Sequence, residues 1–309
     1  MHASLQNTEI HCLPAEQGFL ALPEAELANI DTAAVAIQLV PYEHTSSYVS
    51  GSARGPMAIV KASHFVEFYD EELDMETYKR VGIATVSEMD FTNKVDATAV
   101  DSIYLQTKQL LEAGKFVVSL GAEHTVTLGF VKAFKERYPD ISVLQIDAHS
   151  DLRQSYNNNI YSHASVMARV HELNVPLVQV GIRAQCKEEA DLMKVSANIH
   201  TFYAHQLWND DAWIDACIDK LSDHVYLTID ADGFDPNVAP AVGTAEPGGL
   251  SWIQGCKLFR RLAERKKVVG FDIVEIAPRE TDIITEFSMA KLCYKIIGYL
   301  YINNQINER

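Results

Sequence analysis

Eight short runs of apolar, β-branched and aromatic residues are spaced along the 309-residue chain, at 33–40, 81–86, 116–120, 141–146, 177–180, 199–203, 224–229 and 267–274. Several are continuously apolar instead of alternating, which suits strands covered on both faces. Between most of them the apolar positions recur at helical spacing. Val126, Phe130, Val131 and Phe134 mark a helix over 125–137 that stops before Pro139, and 210–221, 251–265 and 287–301 are spaced alike. Strands alternating with helices imply parallel strands joined by right-handed crossovers. The expected fold is a three-layer α/β/α sandwich around a mostly parallel sheet of about eight strands. No repeat of ~20–50 residues, linker or composition shift interrupts the chain, so residues 1–309 read as a single domain.

Charge breaks the apolar pattern at the strand ends. Asp147-x-His149-x-Asp151 closes the run 141–146, Asp230-x-Asp232 closes 224–229, His124 follows 116–120 and Glu275 follows 267–274. Acids clustered at the ends of buried strands repel and lose hydration, and bound metal is the usual compensation. Open parallel sheets bind ligands at the carboxyl ends of their strands, so these four ends deliver acids and imidazoles to one edge. Residues i, i+2 and i+4 of a strand share a face. Full extension would hold Asp147 and Asp151 roughly 13 Å apart at about 3.3 Å per residue, whereas a hydrolytic metal pair is separated by about 3.5–4 Å. The chain is therefore expected to curl soon after His149, while Asp230 and Asp232 need no bend. Four carboxylates and two imidazoles exceed the usual ligand set of one catalytic zinc, and no sulfur is on offer. The set His124, Asp147, His149, Asp151, Asp230 and Asp232 suits two borderline-hard ions, manganese first, with carboxylates bridging. Water shared by two such ions is a hydroxide near neutral pH and a ready nucleophile.

Composition narrows the choice of partner. A formal charge of -16 argues against nucleic-acid binding and is compatible with a small cationic substrate. Five scattered cysteines (Cys12, Cys186, Cys217, Cys256, Cys293) form no C-x-x-C pair and read as reduced thiols, mostly small core residues. Residues 1–8 lack the basic and apolar regions of a leader, and no stretch approaches the ~20 apolar residues of a membrane helix. A cytoplasmic protein is expected.

In order and spacing, Gly121-Ala-Glu-His-Thr125, Asp147-Ala-His-Ser-Asp151, Tyr161-Ser-His-Ala-Ser165, Thr228-Ile-Asp-Ala-Asp-Gly-Phe-Asp-Pro236, Glu246-Pro-Gly-Gly-Leu250 and Asp272-Ile-Val-Glu-Ile276 resemble the signatures of the arginase/agmatinase (ureohydrolase) family. The segment His44-Thr-Ser-Ser-Tyr-Val-Ser-Gly-Ser-Ala-Arg-Gly-Pro56 is similar to one found in agmatinases, and the likeness runs from about residue 35 to 300. The resemblance implies an arginase-like fold with two manganese ions per subunit, nickel or cobalt being alternatives. His124, Asp147, Asp151 and Asp230 would hold one ion, and Asp147, His149, Asp230 and Asp232 the other. It further implies attack of the shared hydroxide on a guanidinium carbon, with Asp151 passing a proton to the departing amine. Glu275 would pair with the guanidinium, and His163 would shuttle protons or touch substrate. Homotrimers or homohexamers are implied too.

Two departures stand out. The family's usual Gly-Gly-Asp-His is Gly121-Ala-Glu-His124, which puts Glu123 beside a ligand, and the glycine-rich segment before Glu246 contains Ala241, Val242 and Ala245. Ala241 requires a backbone free of glycine-only conformation there. In place of the arginase loop for an amino-acid carboxylate the chain has Asn157-Asn-Asn-Ile-Tyr-Ser-His163, and Ala184-Gln-Cys186 follows Arg183. Both differences point to agmatine, with Asn159 as a candidate substrate contact, though a solvated turn of asparagines is as good a reading. Trp208, Trp213 and Trp252 read as packing and 70–74 as a solvated acidic face; Ser47, Tyr48 and Arg54 could line the site or a subunit contact, fold support being the preferred reading. The expected reaction is agmatine to putrescine and urea. The alternatives are another guanidino substrate (aminopropylagmatine, guanidinobutyrate, arginine), a silent metal- or polyamine-binding relative, or a dimetal phosphoesterase, which would need more phosphate-facing cations than Arg153 and Arg183.

Overall fold

Successive residues of a strand face opposite ways, so a run that is apolar throughout must be covered twice. A computed structural model, which describes residues 10–208 and 210–308, shows that cover. The leader reading of 1–8 lies outside the described residues. All eight runs become strands of one sheet. They are β1 (Val35–Val40), then, after a small hairpin of β2 (Tyr69–Asp70) and β3 (Met75–Glu76), β4 (Ile83–Thr85), β5 (Phe116–Gly121), β6 (Ser142–Ile146), β7 (Leu177–Ile182), β8 (Ile199–Tyr203), β9 (His224–Asp230) and β10 (Lys267–Val274). Every pairing in the sheet is parallel, in the order β4-β1-β5-β10-β9-β6-β7-β8.

The crossovers carry α1 (Gly55–Ser63), α2 (Thr77–Val81), α3 (Ala97–Glu112), α4 (Thr127–Arg137), α5 (Val166–Glu172), α6 (Lys187–Val195), α7 (Ala212–Ile218) and α8 (Trp252–Arg265), and α9 (Ile284–Ile302) follows the last strand. Val35, Ile37 and Leu39 of β1 join a core with α1, α7, α8 and α9, while Ala36 and Val40 join another with α3, α4 and α5. Helix α8 begins where expected because Ser251 caps it: its Oγ accepts the Gln254 N–H (3.2 Å) and Gln254 Oε1 accepts the Ser251 N–H (3.0 Å). Helix α9 starts earlier than 287 because Asp282 Oδ1 accepts the Ile284 N–H at 3.0 Å, and it is buried on nearly every side.

Three readings need correction. Within the acidic run 70–74, Glu71, Glu72 and Asp74 are exposed as expected, but Asp70 is buried and bonds Lys295 of α9, which also pairs with Glu72 at 2.8 Å. Trp208 does not pack, being 68% exposed, although Trp213 is buried. Only Cys217 and Cys293 of the five free cysteines are core residues. Among the described residues no helix is long and apolar enough to cross a membrane.

Candidate metal centre

Strand register brings the acids together. Ile146 of β6 pairs with Ile229 of β9, and Asp230 pairs with Val274 of β10, so Asp147, Asp230 and Glu275 leave adjacent strands at one level. His124 follows β5, which pairs with β10 on the other side. The four contributing strands are consecutive in the sheet (β5-β10-β9-β6) though scattered along the chain. The expected curl is present. His149 bridges to Ala184, and Asp151 turns with a φ of 54°, its carbonyl accepting the Met167 and Ala168 N–H groups at the start of α5. The turn after β9 comes so close to β6 that a Cβ on Gly233 would lie 2.6 Å from the Asp147 nitrogen.

His124 Nδ1 lies 3.1 Å from Asp147 Oδ2, 3.1 Å from Asp151 Oδ2 and 3.4 Å from Asp230 Oδ2. His149 Nδ1 lies 3.0 Å from Asp232 Oδ2 and 3.7 Å from Asp147 Oδ1. Two ligand groups result among the described residues, His124/Asp147/Asp151 and Asp147/His149/Asp232. Asp147 turns one oxygen toward each. Asp230 stands beside the first group through Oδ2, while its Oδ1 accepts the Asp232 N–H at 2.9 Å.

These residues fit a cation. His124 Nε2 is 2.9 Å from Thr228 Oγ1, whose own proton goes to Asp272 Oδ1 at 2.7 Å, so Nε2 is the protonated nitrogen. The buried Nδ1 has no well-aligned hydrogen-bond partner and faces three carboxylate oxygens, which outweigh burial and hold the imidazole well above its ordinary range. That contact is repulsive unless a positive charge lies among them. Without one, the site takes up protons. Burial and the Asp147 charge push Asp151 up to about 7. Burial, then Asp232 and Asp147, hold Asp230 well above the carboxylate range. Burial opposes a charged His149, but Asp232 and Asp147 outweigh it and push the imidazole up to about 12.

A cavity of about 150 Å³ opens onto the cluster and is lined by His149, Asp151, Asp230, Asp232, His163 and Glu275. Glu275 adopts a left-handed φ of 65°, sparsely populated for any residue but glycine. Its amide donates to Ala122 O (2.7 Å), and its Oε1 accepts the His124 N–H (2.7 Å). Burial pushes it up to about 8. Burial, with His149 and His124 nearby, drops His163 to about 4, leaving a neutral imidazole.

The structure does not bring Asn159 into the cavity lining. Its amide donates to Asp96 Oδ1 (2.7 Å), its oxygen accepts the Tyr161 N–H (2.8 Å), and Asn157 and Asn158 turn with φ of 49° and 62°. This is the asparagine turn. Ser47 and Tyr48 line the cavity, the alternative to the preferred fold-support reading, as does the overlooked Tyr156; Arg54 does support the fold, donating to Pro278 O. Arg183 faces backbone, with donors on Gly181 O, Asp232 O and Glu246 O, which weakens a phosphate-binding role. Ala122 and Ala241 are both buried and outside the left-handed region, so neither departure strains the chain. Thr228 and Asp272, missed as site residues, had a signal: a buried acid inside the apolar run of β10.

The Arginase family profile matches residues 33–298. N(1)-aminopropylagmatine ureohydrolase of Synechocystis sp. is 43% identical over 284 residues, which is 90% of this chain and 92% of that one. Agmatinase of Pyrococcus horikoshii is 31% identical over 282 residues, 90% of this chain and 95% of that one. The crystal structure of agmatine ureohydrolase of Thermoplasma volcanium matches with a TM-score of 0.82 at 29% identity, covering 94% of this chain and 97% of the other. Extended along nearly the whole sheet and its helices, the likeness assigns the chain to the arginase family, as a ureohydrolase that acts on guanidino C–N bonds.

Proposed function

We propose that this chain releases urea from the guanidino end of an agmatine-type amine, N(1)-aminopropylagmatine ahead of agmatine, at a centre of two divalent ions. Manganese is the first choice, with nickel or cobalt able to replace it. The observation that carries this reading is the buried His124 Nδ1 facing three carboxylates, next to an Asp147 that offers an oxygen to each ligand group. His124, Asp147, Asp151 and Asp230 would hold one ion. Asp147, His149, Asp230 and Asp232 would hold the other. Ions held there would supply an acidified water and polarise the guanidino group.

The chain's own residues do the rest. The acidic lining draws in a cation, and Glu275 accepts guanidinium N–H bonds that fix its plane for attack. As the C–N bond breaks, the carboxyl of Asp151 delivers a proton to the leaving amine. His163, neutral and on the cavity wall, exchanges protons with solvent. Water adds across the bond in balance: agmatine yields putrescine and urea, and the aminopropyl compound yields its longer amine and urea. The 43% identity to an N(1)-aminopropylagmatine ureohydrolase supports the longer substrate. Likeness to the Pyrococcus agmatinase favours agmatine as the second reading. We further propose a cytoplasmic homotrimer or homohexamer.

The test is urea release from N(1)-aminopropylagmatine, agmatine, guanidinobutyrate and arginine, each with manganese, nickel and cobalt. Both agmatine-type amines should be hydrolysed, the longer with the higher kcat/KM, and Asp230→Asn should abolish the activity. Failure of all four substrates with every metal would refute the enzymatic reading.

A further inference from the structure

Glu123 is fully buried next to His124, yet it joins neither ligand group among the described residues. Its carboxylate turns the other way. Oε2 accepts the backbone N–H groups of His44 (2.8 Å) and Thr45 (2.6 Å), and Oε1 is 3.1 Å from the Thr45 hydroxyl. The same hydroxyl oxygen accepts the backbone N–H of His163 at 3.1 Å and lies 2.9 Å from His163 Nδ1. A hydroxyl has one proton and two lone pairs, and a carboxylate can only accept. With the Thr45 proton directed at Glu123, the oxygen can meet Nδ1 only as an acceptor.

We infer that Glu123, acting through Thr45, is a positioning residue for His163. It holds the imidazole on the cavity wall in the Nδ1–H tautomer and leaves Nε2 as the bare nitrogen. The segment 44–45 is thereby tied to the residue preceding a metal-ligand candidate, so ring and metal site keep a constant relation. An aspartate at 123 is one methylene shorter and would not span to both Thr45 donors from this backbone. The consequence for rate rests on the proposed proton-carrying role of His163; the ring's position and tautomer do not.

The test combines ¹⁵N-edited NMR of histidine-labelled, metal-free protein with kinetics and metal analysis of the manganese-loaded enzyme. The His163 signals are identified by their loss in His163→Asn. Wild type and Thr45→Ser should show the Nδ1–H tautomer, and Thr45→Val, which keeps shape but has no hydroxyl, should show a mixture. Thr45→Val should lose about 10-fold or more in kcat, with KM within about two-fold and bound manganese unchanged, and Thr45→Ser should restore the rate. Glu123→Gln gives a second route if Thr45→Val does not fold. Its amide can donate to Thr45, reversing the hydroxyl and moving His163 toward Nε2–H. A single Nδ1–H tautomer in both altered proteins would overturn the inference, as would a rate loss matched by loss of metal. Should wild type release no urea from any guanidino compound, the proposed reaction fails while the tautomer measurement still decides this point.

Discussion

Asp272 is fully buried in the middle of β10, where it accepts hydroxyls from Thr228 (2.7 Å), Tyr226 (2.8 Å) and Thr127 (3.1 Å). Burial raises it to about 6 despite those bonds. Because Thr228 also receives His124 Nε2–H, this acid dictates which nitrogen of His124 is left for a cation. Asp272→Asn would present an amide donor to Thr228 and turn its hydroxyl against Nε2–H. Manganese affinity should fall about 10–100-fold in a metal-buffered titration, with the fold retained by circular dichroism. At Glu275 the expected effect is of another kind. Glu275→Gln should keep both ions yet lower kcat/KM for the amine substrates about 100-fold, since a charged bidentate contact becomes a neutral one. Metal loss in that variant, with affinity for substrate unchanged, would contradict its role as a substrate contact.

At the scale of elements, the site depends on how closely the turn after β9 approaches β6. Gly233 has no room for a side chain, a Cβ there meeting Asp147 N at 2.6 Å and the Ile146 carbonyl carbon at 2.8 Å. Gly233→Ala must push apart the turn bearing Asp230 and Asp232 and the one bearing Asp147. A loss of manganese larger than the loss of thermal stability is expected, read from metal content and Tm on the same sample. The positive φ of Asp151 and Glu275 belongs to this scale as well. Glu275 directly follows β10 and Asp151 lies in the loop after β6, and each left-handed turn costs about 1–3 kcal/mol that the surrounding bonds offset.

For the whole molecule, the hairpin β2–β3 is tied to α9 through buried Lys295, which bonds Asp70 (2.9 Å) and Glu72 (2.8 Å). Burial raises Glu72, but Lys295 and Tyr299 outweigh it and hold the acid below its ordinary range. Burial likewise opposes the Lys295 charge, while Glu72 and Asp70 raise it above the lysine range. A depressed acid stabilises the fold above its unfolded pKa and loses that contribution as pH falls through the folded value. A raised lysine contributes fully below its unfolded pKa and loses it only as pH climbs past the folded one. The tie should therefore hold from about pH 5 to 10. The Tm difference between wild type and Glu72→Gln should shrink toward zero below about pH 4. Lys295→Ala should cost about 3 kcal/mol in denaturant unfolding, since it leaves buried Asp70 without its counter-charge, held only by the Glu72 and Leu73 N–H groups on Oδ1.

Sequence alone determined the strand-helix alternation, the eight runs and the seven acids and imidazoles at the ends of four of them, because burial on both faces and charge at a strand terminus are written locally. It also demanded the curl after His149, from the length of an extended chain against the reach of a metal pair. Tertiary structure decided what depends on neighbours distant along the chain. Only the order β5-β10-β9-β6 shows that those ends are adjacent. Only packing shows that Asn159 closes a turn, that Ser47 and Tyr48 face the cavity, and that Asp70 is buried against Lys295. The direction of a side chain such as Glu123, away from the metal ligands and toward His163 through Thr45, follows from contacts 78 and 118 residues apart. No local pattern encodes them, because hydrogen-bond partners are chosen by the folded surface and not by spacing along the chain.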